Sequence, residues 1–147
     1  PYFEQPPPRS TGREMFSAAY IEELIRESGG ATMNDLIATA TAFTAETIVS
    51  SLRRYVPDYG GIGAFYVSGG GSANRTLMRS IQERVGDAPV RLSDALGLSA
   101  DSKEAVAFAL LAHRTLNGLV GNLPAATGAS RAVILGQVTP AGHSRLI

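Results

Sequence analysis

The N-terminal third of the chain alternates apolar and polar residues with the period of an α-helix. Apolar residues recur at that spacing from Phe16 to Leu24 and predict a first helix, which the glycines after Ser28 end. Thr32 is followed three positions later by an aspartate, the spacing of a capping box, and predicts a longer second helix that runs to about Tyr55. One face of this helix carries a stripe rich in small residues, and we expect this face to pack closely against a sheet. The stripe consists of Ile37, Ala40, Thr44, Ile48 and Leu52.

The remainder of the chain alternates short apolar runs with helical patterns. Segments 64–67 and 89–92 predict two short strands, with a third helix between them over about residues 72–85. Asp101 is placed to cap a fourth helix, and segment 131–136 is a candidate final strand. The expected inward positions are Leu77, Met78, Ile81 and Val85 in the third helix, and Ala105, Phe108, Ala112, Leu116 and Leu119 in the fourth. This alternation predicts one α/β domain over residues 1–147, with few strands and several long helices.

Composition narrows the function without identifying it. The 147 residues include 13 basic and 13 acidic ones, so the formal net charge is zero and a general nucleic-acid-binding surface is disfavoured. Cysteine is absent, which excludes disulfides, thiolate metal sites and a cysteine nucleophile, and fits a cytoplasmic location. No apolar run approaches the roughly eighteen residues of a membrane span, so no membrane partner is expected.

Three consecutive glycines, Gly69, Gly70 and Gly71, stand between the first predicted strand and the helix that follows. Backbone without side chains lets a ring or a phosphate lie against the main chain, and a strand-to-helix junction of this kind is typical of nucleotide sites. The segment lacks the lysine of a phosphate-binding P-loop and the spacing of a dinucleotide fingerprint. A tight strand-to-helix turn without a ligand is the alternative.

Other sequence patterns that carry chemistry are missing. His113 and His143 lie far apart with no metal-ligand spacing around them, and a surface or core role is expected for His113. Neither a Gly-x-Ser-x-Gly nucleophile elbow nor a His-Glu-x-x-His zinc motif occurs. We therefore assign no catalytic and no metal-ligating residue from the sequence.

Several stretches resemble one protein family in their order and spacing. They are PPRSTGRE at residues 7–14, VSGGG at 67–71 with Asn74 and the Leu-Met pair at 77–78, KEAVAFALLA at 103–112, and NLPAATGA at 122–129. Together they resemble the anhydro-N-acetylmuramic acid kinases of bacterial peptidoglycan recycling. The resemblance implies the C-terminal lobe of an actin-like, ribonuclease H-like ATPase fold, in which two lobes close over ATP and Mg²⁺. It also implies a reaction that uses ATP and water to open 1,6-anhydro-N-acetylmuramic acid and forms N-acetylmuramic acid 6-phosphate.

The resemblance implies roles for particular residues. The glycine triplet matches the adenosine-binding element of the superfamily, and the amide of Asn74 is placed to bond a ribose or phosphate oxygen. A local hydrogen bond in the first helical turn is the alternative for Asn74. Glu104 matches a glutamate that reaches the sugar, in one interpretation from the other subunit of a homodimer. Its spacing from Asp101 equally suits a capping box that only stabilises the helix.

The same resemblance implies that the chain is part of a longer kinase, roughly two-fifths of it by analogy. The phosphate loop and the aspartate that activates water are not found here, and a start at Pro1 instead of methionine fits this interpretation. Phosphoryl transfer needs both lobes, so we expect the chain alone to be inactive. The roles of Arg13 and of Thr127 with Gly128 stay unassigned. An actin-like or Hsp70-like ATP-binding module without sugar kinase chemistry is the alternative.

Overall fold

The computed structural model describes residues 2–9, 12, 14–97, 99 and 102–139. These residues form five α-helices and two β-strands, which confirms the α/β class, and the chain divides into two units, Pro1–Lys103 and Glu104–Ile147. The helices are α1 (Ala18–Glu27), α2 (Met33–Tyr55), α3 (Arg75–Val85), α4 (Lys103–Leu116) and α5 (Pro124–Thr127). The strands are β1 (Phe65–Val67) and β2 (Val90–Leu92). Single 3₁₀ turns lie at Tyr2–Glu4, Tyr59–Gly61, Gly70–Ala73 and Ser93–Leu96.

The start of α2 is a capping box, as its sequence predicts. The Thr32 hydroxyl accepts the N–H of Asp35 at 3.2 Å, and the Asp35 carboxylate accepts the N–H of Thr32 at 3.2 Å. Two N–H groups without an intrahelical partner are thereby satisfied, a feature worth about 1 kcal/mol. Although α2 is long, none of the helices among the described residues is both long and apolar enough to cross a membrane.

The buried face of α2 differs from the predicted stripe. Ala45 and Val49 are fully buried and pack with Ile81 and Val85 of α3. Ile37 of the predicted stripe is 58% exposed, and Thr44 and Ile48 are exposed as well. The predicted buried face was wrong because the main neighbour of α2 is α3. The strands contribute only the half-buried Phe65 and Val90 at the border of this core.

In the chain, β1 precedes α3 and β2 follows it, and the two strands pair in parallel. Phe65 lies opposite Val90, and Val67 opposite Leu92, so both strands end at the same edge. The side chain of Gln82 fixes the turn between α3 and β2, because it accepts the N–H of Val90 at 2.8 Å and donates to two carbonyls of that turn. The predicted strands and the helix between them are therefore confirmed.

The second unit contains α5 and nearly all of α4 but no sheet among its described residues. The predicted strand at 131–136 was wrong, because the amide of Asn122 occupies the backbone groups that a neighbouring strand would pair. It donates to the carbonyl of Arg131 at 3.1 Å and accepts the N–H of Val133 at 2.7 Å. Among the predicted inward residues of α4, Phe108 and Leu116 are each 71% exposed, so the expected packing of this helix was wrong too. Its predicted cap, Asp101, lies outside the described residues.

Candidate functional site

A glycine loop, residues 68–74, follows β1 at the edge where both parallel strands end. Gly69 has φ +87° and ψ 173°, and the single 3₁₀ turn Gly70–Ala73 follows it directly. The N–H of Ser72 donates to the carbonyl of Gly69 at 3.0 Å, and the hydroxyl of Ser72 donates to the same carbonyl at 2.7 Å. Ligands of open α/β sheets bind at the carboxyl ends of the strands, so the loop lies at the edge where a ligand is expected.

The fold accounts for only one of the three glycines. Gly69 has a positive φ, a backbone conformation that costs free energy for any residue with a Cβ. A Cβ on Gly71 would lie 3.6 Å from Cδ2 of Leu77, which is ordinary van der Waals contact. A Cβ on Gly70 would meet no described atom within 4 Å, and the φ of Gly70 is not in the positive range. Nothing within the described structure therefore requires glycine at position 70.

Asn74 is the N-cap of α3, one position before the helix rather than inside it. Its Oδ1 accepts the N–H of Thr76 at 3.0 Å and the N–H of Leu77 at 3.1 Å. The local hydrogen bond expected as the alternative role is thus present. It uses the oxygen of the amide only, and the Nδ2 hydrogens have no protein partner in the described part of the chain.

A groove of about 240 Å³ lies beside the loop, between the N-terminal half of α2 and the start of α3. We call it the α2–α3 groove, and its walls are formed by Ile37, Ala40, Thr41, Thr44, Asn74 and Leu77. Asn74 ends the glycine loop and also lines this groove, so loop and groove are continuous. The exposed face of α2 that the sequence assigned to sheet packing is therefore part of a concave surface.

Ser93 is a polar residue at this edge that sequence reasoning missed. It directly follows β2, as Ser68 follows β1, so continuation of the parallel register sets Ser93 opposite Ser68. Ser93 is only 7% exposed, and its hydroxyl has no hydrogen-bond partner among the described residues. Buried hydroxyls are normally paired, so this group is an exception. Pairing the two predicted strands in parallel before searching for polar residues is the step that finds it.

The other residues singled out in the sequence lie elsewhere or outside the described residues. Glu104 is exposed in the first turn of α4 and belongs to the second unit, whereas the glycine loop belongs to the first. Thr127 and Gly128 form a local turn, in which the Thr127 hydroxyl donates to the carbonyl of Leu123 at 3.1 Å. His113 is exposed on α4. Arg13, His143 and Asp101, the expected capping partner of Glu104, are not among the described residues.

Metal-binding groups are not assembled in the described part of the chain. No group of three or more His, Cys, Asp or Glu side chains lies together there in a way that holds a metal ion. We therefore assign none of the described residues to Mg²⁺ and derive no step through it. These residues offer a ligand bare backbone, an amide and hydroxyl groups.

Comparison with known proteins identifies relatives over nearly the whole chain. The family model described as anhydro-N-acetylmuramic acid kinase matches residues 1–141. A protein of that name from Streptomyces coelicolor is 42% identical over 140 residues, which are 95% of this chain and 34% of the relative. Proteins of the same name from Rhodococcus erythropolis and Caldanaerobacter subterraneus subsp. tengcongensis are 40% and 37% identical, over 95% and 94% of this chain. The chain thus spans about a third of the length of these relatives.

Proposed function

This chain belongs to the anhydro-N-acetylmuramic acid kinase family, and we propose that it forms the C-terminal, nucleotide-binding part of such a kinase. In this proposal Gly69, Gly70 and Gly71 lie against the adenosine part of ATP, and Asn74 contributes a hydrogen bond. The observation that carries it is the position of Gly70, a glycine that the fold itself does not require, at the edge where both parallel strands end. An external group that packs against the backbone explains this choice of residue.

The proposed reaction is that of the whole kinase. ATP and water open 1,6-anhydro-N-acetylmuramic acid, the γ-phosphoryl group passes to the sugar O6, and N-acetylmuramic acid 6-phosphate forms. The part of this chain is to bind and orient the nucleotide, since phosphoryl transfer depends mainly on positioning and on neutralising charge. We propose that the whole chain is one lobe of the actin-like, ribonuclease H-like fold, with Mg²⁺ held mainly by the other lobe. ATP as substrate is the reason for proposing a cytoplasmic location.

Glu104 is proposed as the contact of this chain with the sugar, either within one subunit or across a homodimer. Its exposure in the first turn of α4 supports this role, because the carboxylate is accessible there. Large apolar side chains that follow it on α4 are exposed too, which supports a subunit interface nearby. They are Val106, Phe108 and Leu110.

Exchange of the matched segment tests the proposed function. This chain replaces the 140 residues that it matches in the Streptomyces coelicolor relative, and sugar-dependent ADP release is measured with Mg-ATP and 1,6-anhydro-N-acetylmuramic acid. The chimera is expected to be active and the chain alone inactive. Gly70→Val in the chimera is expected to raise KM for ATP at least roughly tenfold, because the side chain occupies the space of the nucleotide.

Gly63→Val is the matched control for this substitution. Gly63 also has open space around its Cβ position and no positive φ, but it precedes β1 and so lies at the other end of the strand. The control is expected to leave KM for ATP unchanged. An active chimera indifferent to Gly70→Val contradicts the role of the glycine loop. ADP release by the chain alone contradicts its role as one lobe, and an inactive, folded chimera that still binds ATP favours the binding-module alternative.

A further inference from the structure

Segment 2–9 lies against α2, where Arg9 attaches it, and we call this segment the strap. The guanidinium carbon of Arg9 lies 5.3 Å from the ring centre of Tyr2 and 5.2 Å from that of Tyr55 on α2. Both distances fall within the roughly 6 Å over which a cation is attracted to an aromatic ring. The guanidinium also donates a hydrogen bond of 2.9 Å to the hydroxyl of Ser51, which is on α2 too.

Hydrogen bonds from Arg9 and Tyr55 hold the backbone of the strap. Arg9 donates to the carbonyl of Tyr2 at 3.2 Å and to the carbonyl of Gln5 at 2.6 Å. The Tyr55 hydroxyl donates to the carbonyls of Glu4 and Gln5, at 3.0 Å and 2.9 Å. A guanidinium carries five N–H donors in a rigid plane, so a single arginine can hold several oxygens and stack on rings. Arg9 is therefore the residue that closes the strap on α2.

Phe3 of the strap connects α2 to the start of α1 through a row of aromatic rings. Its ring centre lies 5.6 Å from that of Phe43 on α2 and 6.0 Å from that of Phe16. The ring of Phe16 lies 5.5 Å from that of Tyr20 on α1. Aromatic rings at these separations attract each other. The strap thus supplies part of the contact between the two helices.

The helix α1 has little buried surface of its own. None of its residues is buried, and the side chains of Ile21 and Ile25 are 47% and 42% exposed. A cavity of about 360 Å³ lies between α1, α2 and Phe3, whereas well-packed cores leave few voids larger than a water molecule. A helix of ten residues is marginally stable in water without tertiary contacts. The position of α1 therefore depends on the contacts that the strap provides.

From these observations we propose that the strap is a latch with a closed and an open state, and that Arg9 determines the balance between them. In the open state α1 leaves α2, while the core between α2 and α3 stays folded because no residue of the strap or of α1 belongs to it. Segments with few buried apolar contacts open locally at a lower free energy than the core. Ala40 and Thr44 line both the cavity beneath α1 and the α2–α3 groove, so opening of the latch alters a wall of that groove.

Limited proteolysis of the 147-residue chain with chymotrypsin, which cleaves after aromatic residues, tests the latch. Arg9→Ala is expected to make the initial cleavage after Tyr20 at least roughly tenfold faster, because an open latch leaves α1 without the contacts that hold it. Cleavage after Tyr66 of β1 is the internal reference. Its rate is expected to stay the same, since Phe65 of the same strand packs against the core. Mass spectrometry identifies both cleavage sites.

Three further variants separate the contacts of the latch. Arg9→Lys keeps the charge but lacks the planar set of donors, so it is expected to accelerate cleavage after Tyr20 nearly as much as Arg9→Ala. Tyr55→Phe keeps the ring and removes two hydrogen bonds to the strap, so a smaller, several-fold acceleration is expected. Arg26→Ala is the matched control, because Arg26 is exposed and pairs with Glu23 of its own helix at 3.3 Å. It is expected to leave the rate unchanged.

The ratio of the two cleavage rates decides the outcome. Faster cleavage after Tyr20 with an unchanged rate after Tyr66 supports the latch. An unchanged rate after Tyr20 in Arg9→Ala overturns it. Equal acceleration at both sites overturns it as well, because Arg9 then stabilises the whole unit instead of a local latch. Full rescue by Arg9→Lys contradicts the role of the guanidinium, since a charge alone would then close the strap.

Discussion

The helices α3 and α4 both carry apolar residues at helical spacing, but their surroundings are opposite. In α3 the apolar residues Ile81 and Val85 are buried against α2, whereas Phe108 and Leu116 of α4 are largely exposed. The apolar face of α3 meets partners that come from residues 33–92 of the same unit. Periodicity therefore predicts that a segment is a helix and which face is apolar, but it does not say what covers that face.

The described residues of the second unit form no buried core. None of its described residues is buried, and a groove of about 500 Å³ lies among side chains of α4 and of segment 135–138. Contiguous exposed apolar surface of this kind is typical of protein interfaces and of ligand-binding grooves. This agrees with the proposal that the chain works within a larger kinase.

The largest expected effect is on the core of the first unit. Val49→Asp puts a carboxylate at a fully buried position and is expected to lower the free energy of unfolding by roughly 4 kcal/mol or more. Phe108→Asp, the counterpart in α4, is expected to change it by less than about 0.5 kcal/mol because that side chain is exposed. Urea unfolding followed by circular dichroism measures both. Equal destabilisation by the two variants contradicts the difference between the units.

A smaller, local effect is expected in the second unit. Asn122→Ala removes two of the three hydrogen bonds that hold segment 131–133 and leaves the one from the N–H of Gly121 to the carbonyl of Val133, so proteolytic cleavage within residues 124–135 is expected to be roughly tenfold faster. Asn117→Ala is the control, because the Asn117 amide donates to the carbonyl of His113, a residue of α4. Mass spectrometry of limited digests locates the cleavage sites. Similar rates for the Asn122 variant and the unmodified chain mean that other contacts hold the segment.

The smallest expected effect is a gain in stability at the edge of the sheet. Ser93→Ala removes a buried hydroxyl that has no partner among the described residues, and the free energy of unfolding is expected to rise by about 1 kcal/mol. Thermal unfolding measures this change. A loss of stability instead indicates that the hydroxyl is paired in solution. Weaker ATP binding by a stabilised Ser93→Ala chain indicates that the hydroxyl meets the nucleotide.

Sequence reasoning succeeded where neighbouring residues carry the signal. Thr32 with its aspartate fixed the start of α2, and the turn-bounded apolar runs predicted β1 and β2, because capping and strand patterns depend on a few adjacent residues. It was wrong about the face of α2, since the burial of Val49 depends on α3, which is distant in the chain. The strand predicted at 131–136 failed because the Asn122 side chain pairs with its backbone. Ser93 was missed because its surroundings depend on strand pairing.

The core of the first unit has a consequence for the order of folding. Its buried apolar residues, Ala45, Val49, Ile81 and Val85, and the strand residues packed on them all lie between positions 45 and 90. Contacts confined to one segment close shorter loops than contacts across the whole chain, so they cost less loop-closure entropy. We expect this segment to acquire its structure early, before α4 has found any partner. In the transition state for folding, α2, α3 and the two strands are then structured. The junction between the glycine loop and α3 forms together with them.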